Sequence, residues 1–410
     1  MTRLWAALAA ASLLTGCAVG PKYQRASVPA PPQWKTEAPW QTAAPKDSLP
    51  KGAWWELFHD DALNTYEQQL LAANYSLIAA RDRLLQARSF ARVSTSAYFP
   101  TLSADPGVQR QRVSGERAAL GGVAPTAAVT QTVTTIPFVI NYEADLFGSV
   151  RNNVKAANAS LQASAADLAN VQLVLTAEMA ADYFTLRELD AELNVLRANV
   201  AAQEKALGVV QKRHEGGVAS GLEVAQQAAL LNATRAQVSL TQQTRAQYEH
   251  AIATLTGNPA PSFSIPVLPL NAAAPPVPTG VPSDLLERRP DIATAERRMA
   301  QQNAQVGVAT AAFYPRLGIG ASGGLQSRDI GALFSAPSAV WAIGTDLLTP
   351  IFNGGHNRAN LALARATYDE SVADYRQTVL TAFQQVEDSL AALQNLSSAA
   401  ASQQVAVEDS

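Results

Sequence analysis

The longest uninterrupted pattern in the chain lies between Gly148 and Arg213, a stretch with no proline and no glycine except Gly208. Apolar residues recur through it at intervals of seven in two successive runs, the repeat of helices that pack side by side. These residues are Val154, Leu161, Leu168 and Leu175, followed by Leu186, Leu193, Val200 and Leu207. The pattern predicts one helix of about 65 residues, a rod of roughly 100 Å. Such a rod is too long to be the core of a compact domain.

A glycine-rich break follows this rod at Gly216–Gly221. Beyond the break, Leu231, Val238 and Ile252 lie at multiples of seven and predict a returning helix that ends at Gly257-Asn258-Pro259. Gly, Asn and Pro in that order are typical of a helix end. We therefore expect a helical hairpin whose turn lies at the glycine-rich break.

Residues 101–147, before the rod, differ in character, with glycines, prolines and short alternating runs. Val129, Gln131 and Val133 alternate with threonines, as in a strand with two different faces. We predict two strands here, joined by a loop from about Gly115 to Pro125. A helix from Asp60-Asp61, acidic residues suited to a helix N-terminus, to just before Pro100 should precede the strands.

The same order then begins again. Residues 77–100 align with residues 292–315 at a constant offset, so that Arg83 matches Arg298 and Pro100 matches Pro315. A second strand pair is predicted within 316–352, followed by a second heptad helix. The chain is thus an internal duplication. Its second copy stops before a return helix, so we expect a truncated second repeat, lacking on the order of fifty residues if the repeat holds.

The N-terminus carries a different signal. Arg3 precedes an apolar run from Leu4 to Leu14, and Leu14-Thr15-Gly16-Cys17 has the spacing of a bacterial lipobox. Cys17 is the single cysteine of the chain, which excludes an internal disulfide. We predict that Cys17 is the lipid acceptor and the first residue of the mature protein, held to one membrane leaflet by its acyl chains.

The chain accordingly divides into five segments. These are a lipoprotein signal peptide (1–16), a lipid anchor with a proline-rich tether (17–52), a first repeat (53–258) of helix, strand pair (about 101–147) and long helical hairpin, a proline-rich linker (259–282), and a second repeat (283–410) of helix, strand pair (about 316–352) and long helix.

Composition narrows the possible functions. The net charge is −3 and 16% of residues are charged, with no basic cluster, so nucleic acid is not an expected partner. After the signal, no apolar run reaches the ~18–20 residues of a membrane helix, so any membrane crossing must be made by strands. Four strands cannot close a barrel, and an open edge is prohibitive in lipid, so several chains would have to pool their strands.

Several motifs and residues could indicate an enzyme, metal or pore site, but each has a simpler interpretation. Gly318–Gly323 matches the dinucleotide fingerprint, and Gly320–Gly324 the nucleophile elbow, but both lie in a predicted strand region without the helix that each requires. The four histidines (His59, His214, His250 and His356) are scattered, without metal-ligand spacing. Asp145 and Asp346 could face a pore or serve as charges at helix starts. We predict no catalytic residues, no metal and no cofactor.

Several longer motifs resemble the TolC-like outer-membrane factors, specifically the NodT-type lipoproteins that serve resistance-nodulation-division efflux pumps. The stretches that carry the resemblance are Trp54–Phe58 with Asp61–Leu63, Cys17–Tyr23, Leu286–Ile292 with Ala295–Arg298, Ala311–Pro315, and Arg213–Val218 with Leu222–Val224. Together they span almost the whole chain.

This resemblance implies a mainly α protein with a membrane β part. Three chains would form a homotrimer, with four strands each pooled into a twelve-stranded β-barrel in the cell outer membrane and long helical hairpins forming a tunnel in the periplasm. The implied partners are a periplasmic adaptor protein, an inner-membrane resistance-nodulation-division pump and outer-membrane lipid. The channel itself would be no enzyme.

The resemblance places the periplasmic tip and adaptor contact at the turn of the first hairpin, at Gly216, Gly217, Val218, Leu222 and Glu223. A ring of three Glu223 carboxylates there would favour cations. Alternatively, Glu223 is only a favourable charge in the first turn of a helix.

Two other functions remain open from the sequence. The chain could be the exit duct of a type I protein secretion system, against which the NodT-like motifs argue. It could also be a periplasmic coiled-coil lipoprotein scaffold without a pore, against which the second strand pair argues. An enzyme is the least expected function, since no set of residues in the sequence forms a coherent catalytic site.

Overall fold

The structure is a computed structural model that describes residues 19–27, 52–115, 127–268 and 288–409. The predicted signal peptide, Cys17 and most of the tether lie outside these residues. So do 116–126 of the first hairpin loop, 269–282 of the linker, and 283–287 at the start of the second repeat, which include Leu286 and Glu287. The α-helices within the described ranges are α1 (Asp61–Ala73), α2 (Tyr75–Ser96), α3 (Ser149–Glu215), α4 (Gly221–Leu255), α5 (Pro290–Ala311) and α6 (His356–Glu408).

The predicted rod is confirmed as α3, which runs without a break for 67 residues. Its heptad stripe supplies buried side chains, among them Val154, Leu186 and Leu193. Lys212, Arg213 and His214 occupy the last turn, where positive charge opposes the negative end of the helix dipole. Among the described residues, no helix combines the length and apolarity that crossing a membrane requires.

The helix predicted from Asp60 to Pro100 is in fact two helices, because the chain is extended at Asn74 (φ −66°, ψ 121°). The side chain of Asn74 serves both sides of this break. Its Oδ1 accepts from the N–H of Leu77 at 3.0 Å, which starts α2, and its Nδ2 donates to the carbonyl oxygen of Leu255 at 2.9 Å. Phe90 of α2 is exposed, whereas Ala91 and Ser94 next to it on the helix are buried.

The strands are β1 (Thr101–Ala104), β2 (Gly107–Val113), β3 (Val129–Ala144), β4 (Arg316–Ser327) and β5 (Ala339–Leu348). They form one antiparallel sheet in the order β1-β3-β4-β5, with β2 also paired to β3. The first predicted strand is therefore interrupted, at Asp105-Pro106, where proline has no N–H to give to the ladder. β1 and β2 follow one another along the same edge of β3.

The chain divides into two compact units. The first comprises Met1–Ser27, Gln86–Ala163 and Ala295–Gln377, and its described part contains the sheet. The second comprises Val28–Leu85, Ser164–Thr294 and Thr378–Ser410, and holds the main apolar core. This core is built from α1, α3, α4 and the segments Trp54–Phe58 and Phe263–Ile265, and its buried members are Trp55, Leu63, Leu70, Met179, Ala180, Tyr183, Leu186, Ile252, Leu255 and Ile265.

Within the first unit, residues 19–27 lie across three helices. The N–H of Val19 donates to the carbonyl oxygen of Phe147 at 3.1 Å, and Asn152 of α3 returns a bond to the Val19 carbonyl at 3.2 Å. Farther along, Tyr23 donates to Glu296 of α5 at 3.1 Å, and Arg25 donates to the Tyr375 hydroxyl of α6 at 3.1 Å. This segment is thus fixed by contacts with residues far along the chain.

Candidate functional site

The turn between α3 and α4 closes on itself through hydrogen bonds. The N–H groups of Val218 and Ala219 both donate to the carbonyl oxygen of Arg213, at 2.8 and 3.2 Å. Gly217 has a φ of +75°, a left-handed conformation that glycine adopts without strain. A ring nitrogen of His214 lies 2.8 Å from the Ala219 carbonyl oxygen, so it must carry a proton to donate this bond. The turn is therefore a built structure, and not a loose loop.

Two of the predicted tip residues present apolar side chains to solvent. Val218 is 71% exposed and Leu222 is 65% exposed. Gly216, Gly217 and Glu223 belong to the same turn, so the structure brings all five predicted residues together. Exposed apolar side chains at the end of a helical hairpin offer a surface that another protein can cover.

Glu223 has a defined partner at this turn. Its Oε1 accepts from the N–H and from the hydroxyl of Ser220, each at 3.0 Å, while the Ser220 hydroxyl accepts from the Glu223 N–H at 3.3 Å. This reciprocal arrangement is a capping box. Hydrogen bonds from the Ser220 backbone and side chain favour the ionised carboxylate, so the pKa of Glu223 is lowered. The arrangement gives Glu223 the helix-start role.

The sheet has one apolar face. Residues directly opposite one another in paired strands share a face, so the register decides which side chains lie together. Phe138 lies opposite Gly323, which lies opposite Trp341, and Ile140, Ala321 and Ile343 form the next such row. We call this the apolar face; its large members are Phe138, Ile140, Tyr142, Ile319, Trp341, Ile343 and Leu347. Trp341 and Ile343 are 79% and 75% exposed, an unusual density of apolar surface for water.

The opposite face is richer in polar groups and glycine, although Val139, Val340 and Leu348 also lie on it. Glu143 lies opposite Gly318, which lies opposite Asp346, and the next row on that face is Asn141, Gly320 and Gly344. A Cβ on Gly318 would lie 2.4 Å from Asp346 Oδ1, so the carboxylate occupies the space that the glycine leaves. Asp346 is thus on the polar face of a strand and not at a helix start.

Asp145 has the second of the two roles considered for it, that of a charge at a helix start. Its carboxylate accepts from the N–H groups of Val150 and Arg151, at 3.2 and 2.8 Å, and pairs with the Arg151 guanidinium at 3.0 Å. These bonds satisfy N–H groups at the start of α3. Asp145 is therefore a capping residue of the long helix.

The motifs that mimic enzyme sites lie inside strand β4. Gly318–Gly324 pairs on one side with β3 and on the other with β5. A fingerprint or nucleophile elbow needs a turn that leads into a helix, and β4 has neither within this stretch. Among the described residues, no group of three or more His, Cys, Asp or Glu is placed to hold a metal ion.

Cys17 lies outside the described residues, which begin at Val19. Val19, two residues later, is bonded to Phe147, between the end of β3 and the start of α3. The chain at position 19 is thereby held beside the end of the sheet.

The sequence did not reveal the charged residues buried between α3 and α4. Arg245 Nε lies 2.6 Å from Asp190 Oδ1, Arg187 Nη1 lies 3.2 Å from Asp190 Oδ2, and Arg245 also pairs with Glu249. Arg187 and Arg245 donate to the carbonyl oxygens of Pro266 and Ile265, at 3.0 and 2.8 Å. The two arginines thus hold the start of the linker against the hairpin. The spacing of Arg187 and Asp190, which puts both on one helix face, was the available signal.

Comparison with known proteins gives a consistent result. The model of the family described as outer membrane efflux protein matches residues 67–258 and 281–410. The probable efflux pump outer membrane protein TtgC of Pseudomonas putida is 33% identical over 384 residues, which cover 93% of this chain and 78% of that one. A solved membrane protein of Pseudomonas aeruginosa superposes with a TM-score of 0.85 at 29% identity, covering 95% of this chain and 86% of the other. The outer-membrane channel OprN superposes with a TM-score of 0.82, also at 29% identity, covering 95% and 89% of the two chains.

Proposed function

The chain belongs to the outer membrane efflux protein family, and from this membership we propose that it is the exit duct of a tripartite efflux pump. In this role it passively conducts substrates from a periplasmic adaptor and an inner-membrane transporter to the exterior. The observation that carries the proposal for this chain is the two-faced sheet. Large apolar side chains predominate on one face, and glycines with Asn141, Glu143 and Asp346 lie on the other. A strand between lipid and a water-filled lumen needs that alternation.

We propose that three copies of the chain pool their strands. β1 and β2 act as one interrupted strand, so the described part of each chain supplies four strand positions and has two edges without a partner strand, β1–β2 and β5. Unpaired peptide groups are costly in lipid, and pairing each β5 with the β1–β2 edge of a neighbouring copy removes every edge. The product is a twelve-stranded barrel whose apolar face meets the outer membrane. The recurrence of helix, strands and long helix in the two halves supports an internal duplication.

We propose that the turn at Gly216–Glu223 is the periplasmic end of the duct. Its exposed Val218 and Leu222 would contact the adaptor. Because one oxygen of Glu223 is held by Ser220, a carboxylate ring formed by three copies would be fixed in position by the same capping boxes.

We propose that Cys17 carries acyl chains that anchor the N-terminus to the outer membrane. The support is the lipobox together with the fixed position of Val19 beside the end of the sheet. In this arrangement the barrel secures insertion, and the lipid acts as a second anchor and a sorting signal.

The test is ion conductance of the purified full chain in a planar bilayer, with one substitution on each face of β5. Ile343→Asp puts a charge on the apolar face and should impair insertion, because a charge facing lipid near the bilayer centre is unfavourable, by less for Asp than the about 2–4 kcal/mol of Arg or Lys. Ala342→Asp puts the same charge on the polar face; it should insert normally and increase the preference for cations. Equal conductance by both variants would contradict the assignment of faces, and no conductance from the unmodified chain would favour a scaffold without a pore.

A further inference from the structure

Glu67 is a carboxylate at a core position. It is 0% exposed and lies on α1 between Leu63 and Leu70, four residues after one and three before the other. Residues at these intervals share one face of a helix. Leu63 and Leu70 both belong to the core that α1 shares with α3 and α4. An apolar side chain would be expected at this position, but the residue there is an acid.

No group in the described part of the chain satisfies this acid. Both carboxylate oxygens of Glu67 are buried without a hydrogen-bond partner there, and so is the Oδ1 of Asn64, one turn earlier. An isolated ionised carboxylate in an apolar core is very unfavourable, whereas a protonated one is a modest burden. The buried side chain is therefore in its neutral form.

Charges elsewhere around this core do not alter that conclusion. Charged groups on the packed elements are paired with one another: Asp60 accepts from Tyr183, and Arg187 and Arg245 pair with Asp190 and Glu249. Besides Glu67, the titratable groups of residues 54–73, 178–192 and 245–250 are Glu56, His59, Asp60, Asp61, Tyr66, Glu178, Asp182, Tyr183, Arg187, Glu188, Asp190, Glu192, Arg245, Tyr248, Glu249 and His250. Burial alone raises the pKa of Glu67 to about 8.

The two ends of α1 are fixed by polar bonds that leave Glu67 midway between them. At one end, Tyr183 of α3 donates to both oxygens of Asp60, at 3.0 and 2.9 Å. At the other, Asn74 donates to the carbonyl oxygen of Leu255 at the end of α4. Asp60, Glu67 and Asn74 are spaced by seven residues, and of these three only Glu67 lacks a hydrogen-bond partner for its side chain in the described structure.

We propose that Glu67 is a proton-dependent lock that holds α1 on the α3–α4 hairpin. With the carboxyl group protonated, α1 is seated on the hairpin core. When the carboxyl group loses its proton, the charge can reach water only if α1 opens from the hairpin. The polar contacts at the two ends of α1 then oppose this opening. The lock concerns the helical unit alone and does not depend on the channel proposal.

Hydrogen exchange of the α1 amides in the full chain, between pH 5 and pH 9, tests the lock. After correction for the intrinsic rate, exchange by opening should rise about tenfold per pH unit from pH 5 to pH 8 and then level off, because opening releases one proton in that range. Glu67→Gln, neutral at every pH, should abolish the rise. Glu67→Leu should abolish it too, and it supplies the test if the glutamine variant does not fold. Glu56→Gln, at an exposed acid of the neighbouring segment, should behave like the unmodified chain.

A second measurement identifies the proton itself. Infrared spectra at pH 7 should show a protonated carboxyl band in the unmodified chain that is missing from Glu67→Gln. The lock is wrong if α1 exchange in the unmodified chain has no such rise with pH, or if Glu67→Gln retains the rise. Absence of the infrared difference would also overturn it, since Glu67 would then be ionised in the closed structure.

Discussion

The guanidinium of Arg245 lies 2.6 Å from the carboxylate of Asp190, and the Asp190 side chain is completely buried. Arg187 also approaches this carboxylate, at 3.2 Å, so Asp190 is shared by two arginines, one of which, Arg245, also pairs with Glu249. The same two arginines bind the carbonyl oxygens of Ile265 and Pro266. The contact between α3 and α4 thereby also holds the segment that follows α4.

Asp190→Asn should be strongly destabilising, by about 3–5 kcal/mol, because it leaves buried arginines without this counter-charge. Glu204→Gln provides the matched control, since Glu204 pairs with Arg235 across the same two helices but both side chains are about half exposed. That variant should lose less than about 1 kcal/mol. Denaturant unfolding of both proteins measures the difference, and similar losses would show that burial of the Asp190 pair is unimportant.

Gly307→Ala should release the N-terminal segment. A Cβ at Gly307 of α5 would lie 2.6 Å from Asn152 Nδ2, the group that binds the Val19 carbonyl. We expect a loss of about 1–3 kcal/mol, typical of overpacking, and faster tryptic cleavage after Lys22 and Arg25.

Gly208→Ala is the control for this substitution. Gly208 lies inside α3, and a Cβ there would meet nothing within 4 Å. Alanine should stabilise that helix by about 0.5–1 kcal/mol and leave the cleavage unchanged. If both alanine variants behave alike, the contact between the N-terminal segment and α5 has no energetic importance.

The turn at the end of the hairpin should loosen in acid. The pKa of Glu223 is lowered in the folded chain, so its stabilising effect is complete above the ordinary glutamate pKa and is lost as the pH falls through the lowered value. Hydrogen exchange of the first turn of α4, corrected for intrinsic rates, should therefore increase below about pH 4.

Two substitutions check the source of that acid response. Glu223→Gln should have a loose turn already at neutral pH and little further change in acid. Glu215→Gln, at an exposed acid of the same turn, should respond as the unmodified chain does. An acid response that persists in Glu223→Gln would assign it to another group.

Tyr183→Phe should weaken the seating of α1. The Tyr183 hydroxyl donates to both oxygens of Asp60, and Asp60 in turn caps α1 by accepting from the N–H groups of Ala62 and Leu63. Hydrogen bonds to a charged group contribute about 1.5–3 kcal/mol, so a loss within that range is expected from thermal unfolding. An unchanged melting temperature would mean that Asp60 caps the helix without help from the tyrosine.

The long helices were predictable because their signal is local and repeated. Many heptads between Gly148 and Arg213 agree with one another, and the absence of proline allows the helix to continue. The turn at Gly216–Gly221 was equally readable, since glycine is needed for the left-handed residue at Gly217.

The features that sequence missed depend on partners far away in the chain. The break at Asn74 is stabilised by the carbonyl oxygen of Leu255, 181 residues later. Asp190 is paired by Arg245, 55 residues away on another helix. Glu67 could not be recognised as buried, because an acid among apolar residues ordinarily faces solvent. No periodicity in one segment contains this information.

The docking of residues 19–27 has a consequence for the order of events during synthesis. Tyr23 and Arg25 are translated before their partners Glu296 and Tyr375, which come 273 and 350 residues later. Loops of that size close late, after local helices have formed. Residues 19–27 can therefore dock only after α5 and α6 have been made and have formed.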